Sequence, residues 1–415
     1  MVHLEDNSKC CGCAACVAAC PKNCISMKYD EDGFLYPVVN QKDCIDCKRC
    51  EQACPFLHPA GRIAYKPRAY GVVAKDDSLV WSSSSGGLFS VLSKKILNQG
   101  GCVFGAAFSD DYRNVVQCKT ENADQLSEIR GSKYVQSSTQ QSFIDAKAEL
   151  AKGRLVLYSG TPCQIAGLKN FLGREYDKLI LVDVICHGTP SVKLWQKYAL
   201  WQEHYRHGTI TSVSFRHKKD GQSSFGTEGT DTNGWYYNSF NRDPYVKMFL
   251  KNICLRESCY RCTVKESGSN ADITLGDFWG VEGIAPNLDN TKGVSLALIH
   301  SPKGQRLFDS VEEEITKQEV LFDIAISKNL PYNHSVLRPQ ERDLFYRDVD
   351  TLSWEELVHR YAKQKITTRW ITLIMNSPVG GICRELLRMI GIREESKTNY
   401  EYGLFIAFGT RSKRR

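Results

Sequence analysis

Two runs of cysteine near the start of the chain constrain it more than any other feature. Cys10, Cys13, Cys16 and Cys20 are spaced C-x2-C-x2-C-x3-C and followed by Pro21. Cys44, Cys47, Cys50 and Cys54 repeat the spacing, and Pro55 follows. This is the bacterial two-cluster iron–sulfur pattern, in which the fourth cysteine of each run ligates the cluster of the other. Cys10, Cys13, Cys16 and Cys54 are therefore expected to hold one [4Fe–4S] cluster, and Cys44, Cys47, Cys50 and Cys20 the second. Gly12, Ala14 and Ala15 are small and let the loop wrap closely around a cluster. A pair of zinc ribbons is the competing assignment, but those draw four ligands from two short pairs. Cys11 and Cys24 fall outside the spacing and read as small packing residues.

The chain has 415 residues and 18 cysteines. That length suits two or three domains. No basic-then-apolar leader opens it, so a reduced, cytoplasmic setting is expected and not a disulfide framework. No apolar run reaches the ~18–20 residues that span a bilayer. The net charge of +7 sits at the end: residues 360–415 hold 12 Lys and Arg against four Glu, which leaves the rest nearly neutral. A nucleic-acid partner would need a broad basic face, so none is expected.

Residues 1–58 are read as an α+β ferredoxin-like dicluster domain, and 59–68 as a linker punctuated by Pro59, Gly61 and Pro67. Residues 69–345 are read as a larger α/β domain with a largely parallel or mixed sheet. Residues 346–415 are read as a basic helical C-terminal extension. Within the larger domain, Ser82 to Gly87 precedes a helix that begins near Leu88, with a serine expected as its N-cap. Amides at such a helix start are open to an anion, as a plain capped helix would also leave them. Arg130-Gly-Ser-Lys133 sets two cations beside Gly-Ser, suited to a phosphate or to a solvated turn. Arg154 to Tyr158 reads as a buried strand. Thr161 then caps a helix with Pro162 at its first position, which puts Cys163 in the first turn. Leu179 to Ile185 reads as a second buried strand and ends at Cys186-His187-Gly188. In parallel neighbours both cysteines would leave the same sheet edge. Residues 220–240 read as a long loop or hairpin. Cys259 and Cys262 have ligand spacing, and with Cys163 and Cys186 would complete a four-thiolate set. Cys254 could replace one member.

Together these segments resemble the coenzyme F-420 (deazaflavin) hydrogenase/dehydrogenase beta-subunit family. The matching stretches are SSSGGLFS at 83–90, RGSKYVQ at 130–136, GTPCQIAGL at 160–168, CHG at 186–188, Phe215-Arg216, Cys259-x2-Cys262 and GDFWG at 276–280. The likeness covers about residues 1–280. It implies an FAD-containing iron–sulfur flavoprotein. The Ser84, Ser85, Gly86, Gly87 loop and the Arg130, Ser132, Lys133 turn become candidates for the flavin phosphates and ring. Cys163, Cys186, Cys259 and Cys262 become candidates for a third [4Fe–4S] cluster. His187, Lys133 and Arg216 are the titratable or cationic groups expected near the flavin. A cation could stabilise a reduced anionic ring, and His187 could donate a proton or be a structural histidine.

The expected function is an oxidoreductase that takes single electrons into the dicluster domain, passes them to FAD, and reduces a small organic two-electron acceptor. Some bacterial members of the family resemble proteins of polysaccharide biosynthesis. The alternative is an electron-transfer beta subunit exchanging hydride with a deazaflavin coenzyme, with catalysis on a partner chain. The expected donor is a ferredoxin or a partner oxidoreductase subunit. The C-terminal apolar runs from Trp370 to Ile390, flanked by Arg369, Arg384, Arg388 and Arg393, suit peripheral contact with an anionic membrane face or two packed helices.

Overall fold

The two cysteine runs flank a hairpin of β1 (Ile25–Tyr29) and β2 (Leu35–Val39), paired antiparallel. A computed structural model describes residues 6–59, 66–219, 225–266, 268–288 and 291–363. After the hairpin come β3 (Arg68–Ala74), β4 (Cys102–Phe108), β5 (Val115–Thr120) and β6 (Ser137–Ser138). The next are β7 (Val156–Gly160) and β8 (Leu179–Val184). A separate antiparallel sheet joins β9 (Ile210–Lys218), β10 (Phe225–Asp231) and β11 (Gly234–Ser239). The chain returns through β12 (Ile273–Asp277), β13 (Ser295–Ile299) and β14 (Ile315–Val320).

The main sheet has the order β14-β3-β13-β12-β8-β7-β4-β5-β6. Its middle, β12-β8-β7-β4, is parallel. The flanks add antiparallel pairs, so the sheet is mixed. The apolar runs of β7 and β8 fit this place, because a central parallel strand is covered on both faces. Leu157, Tyr158, Leu181 and Val182 are buried accordingly.

Several local expectations agree with the fold. The helix Pro162–Leu172 starts after Thr161 with a reciprocal capping box to Gln164. The 220–240 stretch supplies the β10–β11 hairpin, with 220–224 outside the described residues. One expectation fails. The helix Leu88–Asn98 is capped by Gly87 at φ 88°, with no serine side chain on its amides. The reason is tight packing on the sheet. A Cβ at Gly86 would lie 2.3 Å from the Val72 carbonyl, and the Gly86 N–H donates to Ser295 Oγ (2.9 Å). That amide is therefore turned to β13 and not towards an anion.

The hairpin and cysteine loops share their packing with the larger body. Phe34 joins the aromatic core with Trp195 and Tyr346, while Cys13 and Ala15 pack with Phe143 and Tyr158. At the far end, the helix Arg342–Thr351 and the turns to Ala362 cover the same core. The linker positions 60–65 and the tail from 364, with its Trp370–Ile390 runs, lie outside the described residues. Among the described residues, no helix is long and apolar enough to cross a membrane.

Candidate electron-transfer site

The cysteine runs repeat in conformation as well as in spacing. Ala14 and Lys48, each just after the second cysteine of its run, both take left-handed backbone, at φ 55° and 62°. One-turn helices then carry Cys16 and Cys50. Cys16 lies within electrostatic reach of Cys10, Cys54 and Cys50, and Cys54 within reach of Cys10 and Cys50. Cys20, Cys44, Cys47 and Cys50 line one cavity of about 330 Å³, its open mouth included. The grouping in space thus crosses the two runs. Cys24 stands in the same cavity, its Sγ 3.4 Å from that of Cys20. Among the described residues, no three His, Cys, Asp or Glu side chains gather at a single-ion site. Thiols placed so close repel one another once ionised, and bound cluster iron neutralises that charge. The donor chemistry fits [4Fe–4S].

A third thiol group, beyond the two of the cysteine runs, forms where the parallel strands end. Cys163, in the first turn after β7, Cys186, just past β8, and Cys259 and Cys262 each feel the charge of other members. Burial pushes the Cys186 thiol up to about 12, with Cys163 and Cys262 adding to the rise against Lys265. Cys254 is fully buried in the aromatic core, and of this set it faces Cys259 alone. Cys11 packs, partly buried, against the core that holds Cys13, in keeping with its reading as a packing residue, and its thiol lies within electrostatic reach of Cys13 and Cys163.

A third focus gathers around the serine loop. Arg130 donates through Nε to Ser90 Oγ (2.9 Å) and through Nη1 to Ser82 Oγ (2.8 Å), holding both ends of the loop. The Ser132 amide donates to Ser84 Oγ (2.9 Å). Ser85 Oγ donates to the Val294 carbonyl (2.8 Å). From β9, Arg216 reaches the Ser84 carbonyl (3.4 Å) and pairs with Asp277 (2.8 Å), next to Phe225 and Trp279. Lys218, buried, donates to the carbonyls of Val80 (2.8 Å) and Ser85 (2.5 Å). Burial pulls its pKa down to about 8, with Asp277 acting against and Arg216 with the shift. Tyr134 also meets Arg216 and Ser132.

The sequence candidates therefore separate. Ser84, Ser85, Gly86, Gly87, Arg130, Ser132 and Arg216 meet at the loop. Lys133 turns its amino group onto the carbonyls of Glu128 (2.7 Å) and Arg130 (2.8 Å), and burial lowers its pKa to about 7. His187 lies beside the third thiol group, bonded to Asn252 Oδ1 (2.6 Å) and edge-on to Phe249. Burial lowers its pKa to about 4, so near neutral pH it has no imidazolium proton to give. That placement favours the structural alternative. Phe249 stacks on Tyr134 at 4.7 Å, which connects the His187 side of the site to the serine loop. Lys218, Tyr134 and Arg256 were missed as site residues. The nearest signal was the Arg216-His-Lys218-Lys219 cluster closing β9.

Comparison with known proteins places these features. Residues 153–320 match the family described as the C terminus of the coenzyme F420 hydrogenase/dehydrogenase beta subunit. Residues 9–57 match the 4Fe-4S dicluster domain. No curated protein matches the chain. Among solved structures, a chain of the xenon-derivatised F420-reducing [NiFe] hydrogenase complex from Methanosarcina barkeri aligns with 15% identity and a TM-score of 0.41. The alignment covers 72% of this chain and 90% of that one.

Proposed function

From the match of residues 153–320 to the coenzyme F420 hydrogenase/dehydrogenase beta-subunit family and of residues 9–57 to the 4Fe-4S dicluster domain, we propose an iron–sulfur flavoprotein that reduces a two-electron acceptor. Its electron-transfer character follows from the family and the dicluster domain. The flavin and the acceptor are this reading's own. In it, residues 1–58 are a ferredoxin-like electron inlet, 69–345 a flavin domain, and 346–415 an extension whose basic tail could meet a membrane face. Cys163, Cys186, Cys259 and Cys262 hold a third cluster between inlet and flavin.

One observation carries the flavin assignment. Four segments distant in sequence (the serine loop, Ser132, the end of β9 and Asp277) converge on one place with buried cations. Arg216 has a carboxylate partner in Asp277, whereas Arg130 and Lys218 are held by hydroxyl and carbonyl oxygens. A buried ammonium on neutral partners is short of charge compensation. The phosphates of FAD would supply it, and the site fits that group. A bound flavin supplies the conversion between single electrons and hydride. Lys218 and Arg130 then neutralise phosphate, Arg216 presents positive charge to the ring, and Asp277 fixes the direction of Arg216. Ser84 and Ser132 orient the loop.

Replacing Lys218 by Met removes the charge and keeps the length. The reading expects flavin affinity to fall about tenfold, or about 1.4 kcal/mol, in an anaerobic titration, with iron content unchanged. Undiminished affinity would contradict it.

The family description, a beta subunit, favours a second reading in which the acceptor, a deazaflavin among the candidates, works with a partner chain. The isolated chain, supplied with reduced ferredoxin or dithionite, separates the two. Turnover of a small acceptor supports the first, and transfer only with a partner present supports the second.

A further inference from the structure

We propose that Arg256 tunes the redox chain: its buried guanidinium raises the reduction potential of the cluster at Cys10 and, less strongly, of the cluster at Cys259. The inference rests on the cluster assignments above, for the third thiol group in particular.

No periodic or spaced pattern marks Arg256 in the sequence, yet it contacts the first cysteine loop, β2 and the segments after Cys186 and before Cys259. Its backbone is fixed between them. The Arg256 amide donates to the Thr189 carbonyl (2.9 Å), three residues past Cys186, and its carbonyl accepts from the Cys259 amide (2.9 Å). Its side chain, 1% exposed, then crosses to the cysteine loops. Nε donates to the Cys10 carbonyl (2.7 Å), Nη1 to Gln136 Oε1 (3.1 Å) and Nη2 to the Leu35 carbonyl (3.0 Å). The guanidinium stacks over Tyr36 at 4.0 Å from the ring centroid. Gln136 completes the joint by donating to the Cys11 carbonyl (3.4 Å). Gly12 is shaped to this contact. It has φ 69°, and a Cβ there would come within 2.3 Å of Gln136 Nε2 and 2.9 Å of Arg256 Nη1.

Among the described residues, the hydrogen-bond partners of the guanidinium are neutral oxygens. A buried cation on neutral partners needs a counter-charge, and thiolate-ligated clusters at Cys10 and Cys259 would supply it. Reducing a cluster adds one negative charge, and a fixed cation in a low-dielectric setting stabilises that state. The potential of a cluster beside Arg256 is therefore raised. Lys265 also faces Cys186 and Cys262. The loss of Arg256 should accordingly be felt more at the Cys10 cluster than at the third. The cluster of the Cys20, Cys44, Cys47 and Cys50 cavity has no contact with Arg256 among those described, and serves as an internal control.

The test is an EPR-monitored redox titration of the full-length holoprotein, its Arg256→Gln variant and its Arg256→Lys variant, each with iron counted. The expected result is a midpoint lowered at least tenfold in the one-electron equilibrium, about 59 mV, in Arg256→Gln at the Cys10 cluster. The control cluster should not move, and Arg256→Lys should stay near the parent. Should Arg256→Gln shed iron, Arg256→Lys with full iron and parent midpoints still supports a role for charge. Parent midpoints in Arg256→Gln, or equal iron loss in both variants, overturns the proposal and leaves Arg256 a packing residue. An iron count of eight rather than twelve in the parent would remove the third cluster, while the claim at Cys10 would still be decided by its own midpoint.

Discussion

At the scale of single residues, the chain divides into those with a pattern and those with only a position. The eight cysteines of the two runs were legible because cluster ligation imposes spacing on the sequence. Cys163 and Cys186 were legible because each closes a buried strand. Lys218 and Arg256 were not, since a lone cation acquires meaning only from what folds against it. Cys24 is buried in the small core beside the cysteine loops, in keeping with its reading as a packing residue. Nothing in its spacing says that it also shares a cavity with Cys20, at 3.4 Å. This leads to a prediction. Cys24→Ala should keep all cluster iron. Cys20→Ala should keep much of it, with Cys24 substituting. The double variant should lose about four irons, one cluster. Iron analysis after anaerobic desalting reads the result, and a Cys20→Ala protein as depleted as the double variant would contradict it.

At the scale of elements, the strand–turn–helix units around Cys163 and Cys186 follow the sequence closely. Apolar runs, a capping threonine and Pro162 all favour one local structure. The serine loop departs from its expected capped helix because close packing on β3 and β13 outweighs the capping preference of serine. The same part of the sheet holds a buried polar chain. Ser269 Oγ donates to Asp183 (2.8 Å), Thr274 Oγ1 donates to the other carboxyl oxygen, and His300 Nε2 is 2.8 Å from Thr274 Oγ1. Burial lowers the His300 pKa from 6.5 to about 4 and raises that of Asp183 from 3.8 to about 7. The signs oppose. The folded state keeps His300 neutral, so its contribution is intact above about pH 6.5 and is lost as pH falls towards 4. The folded state keeps Asp183 protonated, so its contribution is intact at low pH and is lost as pH rises towards 7. Each slope is at most about 1.4 kcal/mol per pH unit. Relative to the parent, His300→Gln should therefore melt higher at pH 5 than at pH 8, and Asp183→Asn the reverse. Thermal melts of both variants at the two pH values check this, and a parallel response would contradict it.

At the scale of the whole molecule, the sequence suggested an inlet domain on a linker, and the structure adds how firmly it is seated. Arg256 and Thr139 bond the carbonyls of Cys10 and Cys13, Arg342 pairs with Asp32 (3.0 Å), and Asn170 donates to the His58 carbonyl (2.7 Å). Phe34 is buried against Tyr346. This docking was not legible, because no local pattern encodes which surfaces meet. It predicts that a protease site inserted after Gly61, once cut, leaves two pieces that co-elute on a sizing column at 0.15 M salt. Separation of the pieces would show the seat to be weak. In the proposed reading such a seat matters, since it holds the Cys10 and Cys163 thiol groups at a fixed separation. The central claim is that this fixed inlet feeds a flavin site. It is tested most directly by the cofactor content of anaerobically purified full-length protein. The account predicts about twelve irons and one flavin per chain, and full iron with no flavin, even after incubation with FAD, would contradict it.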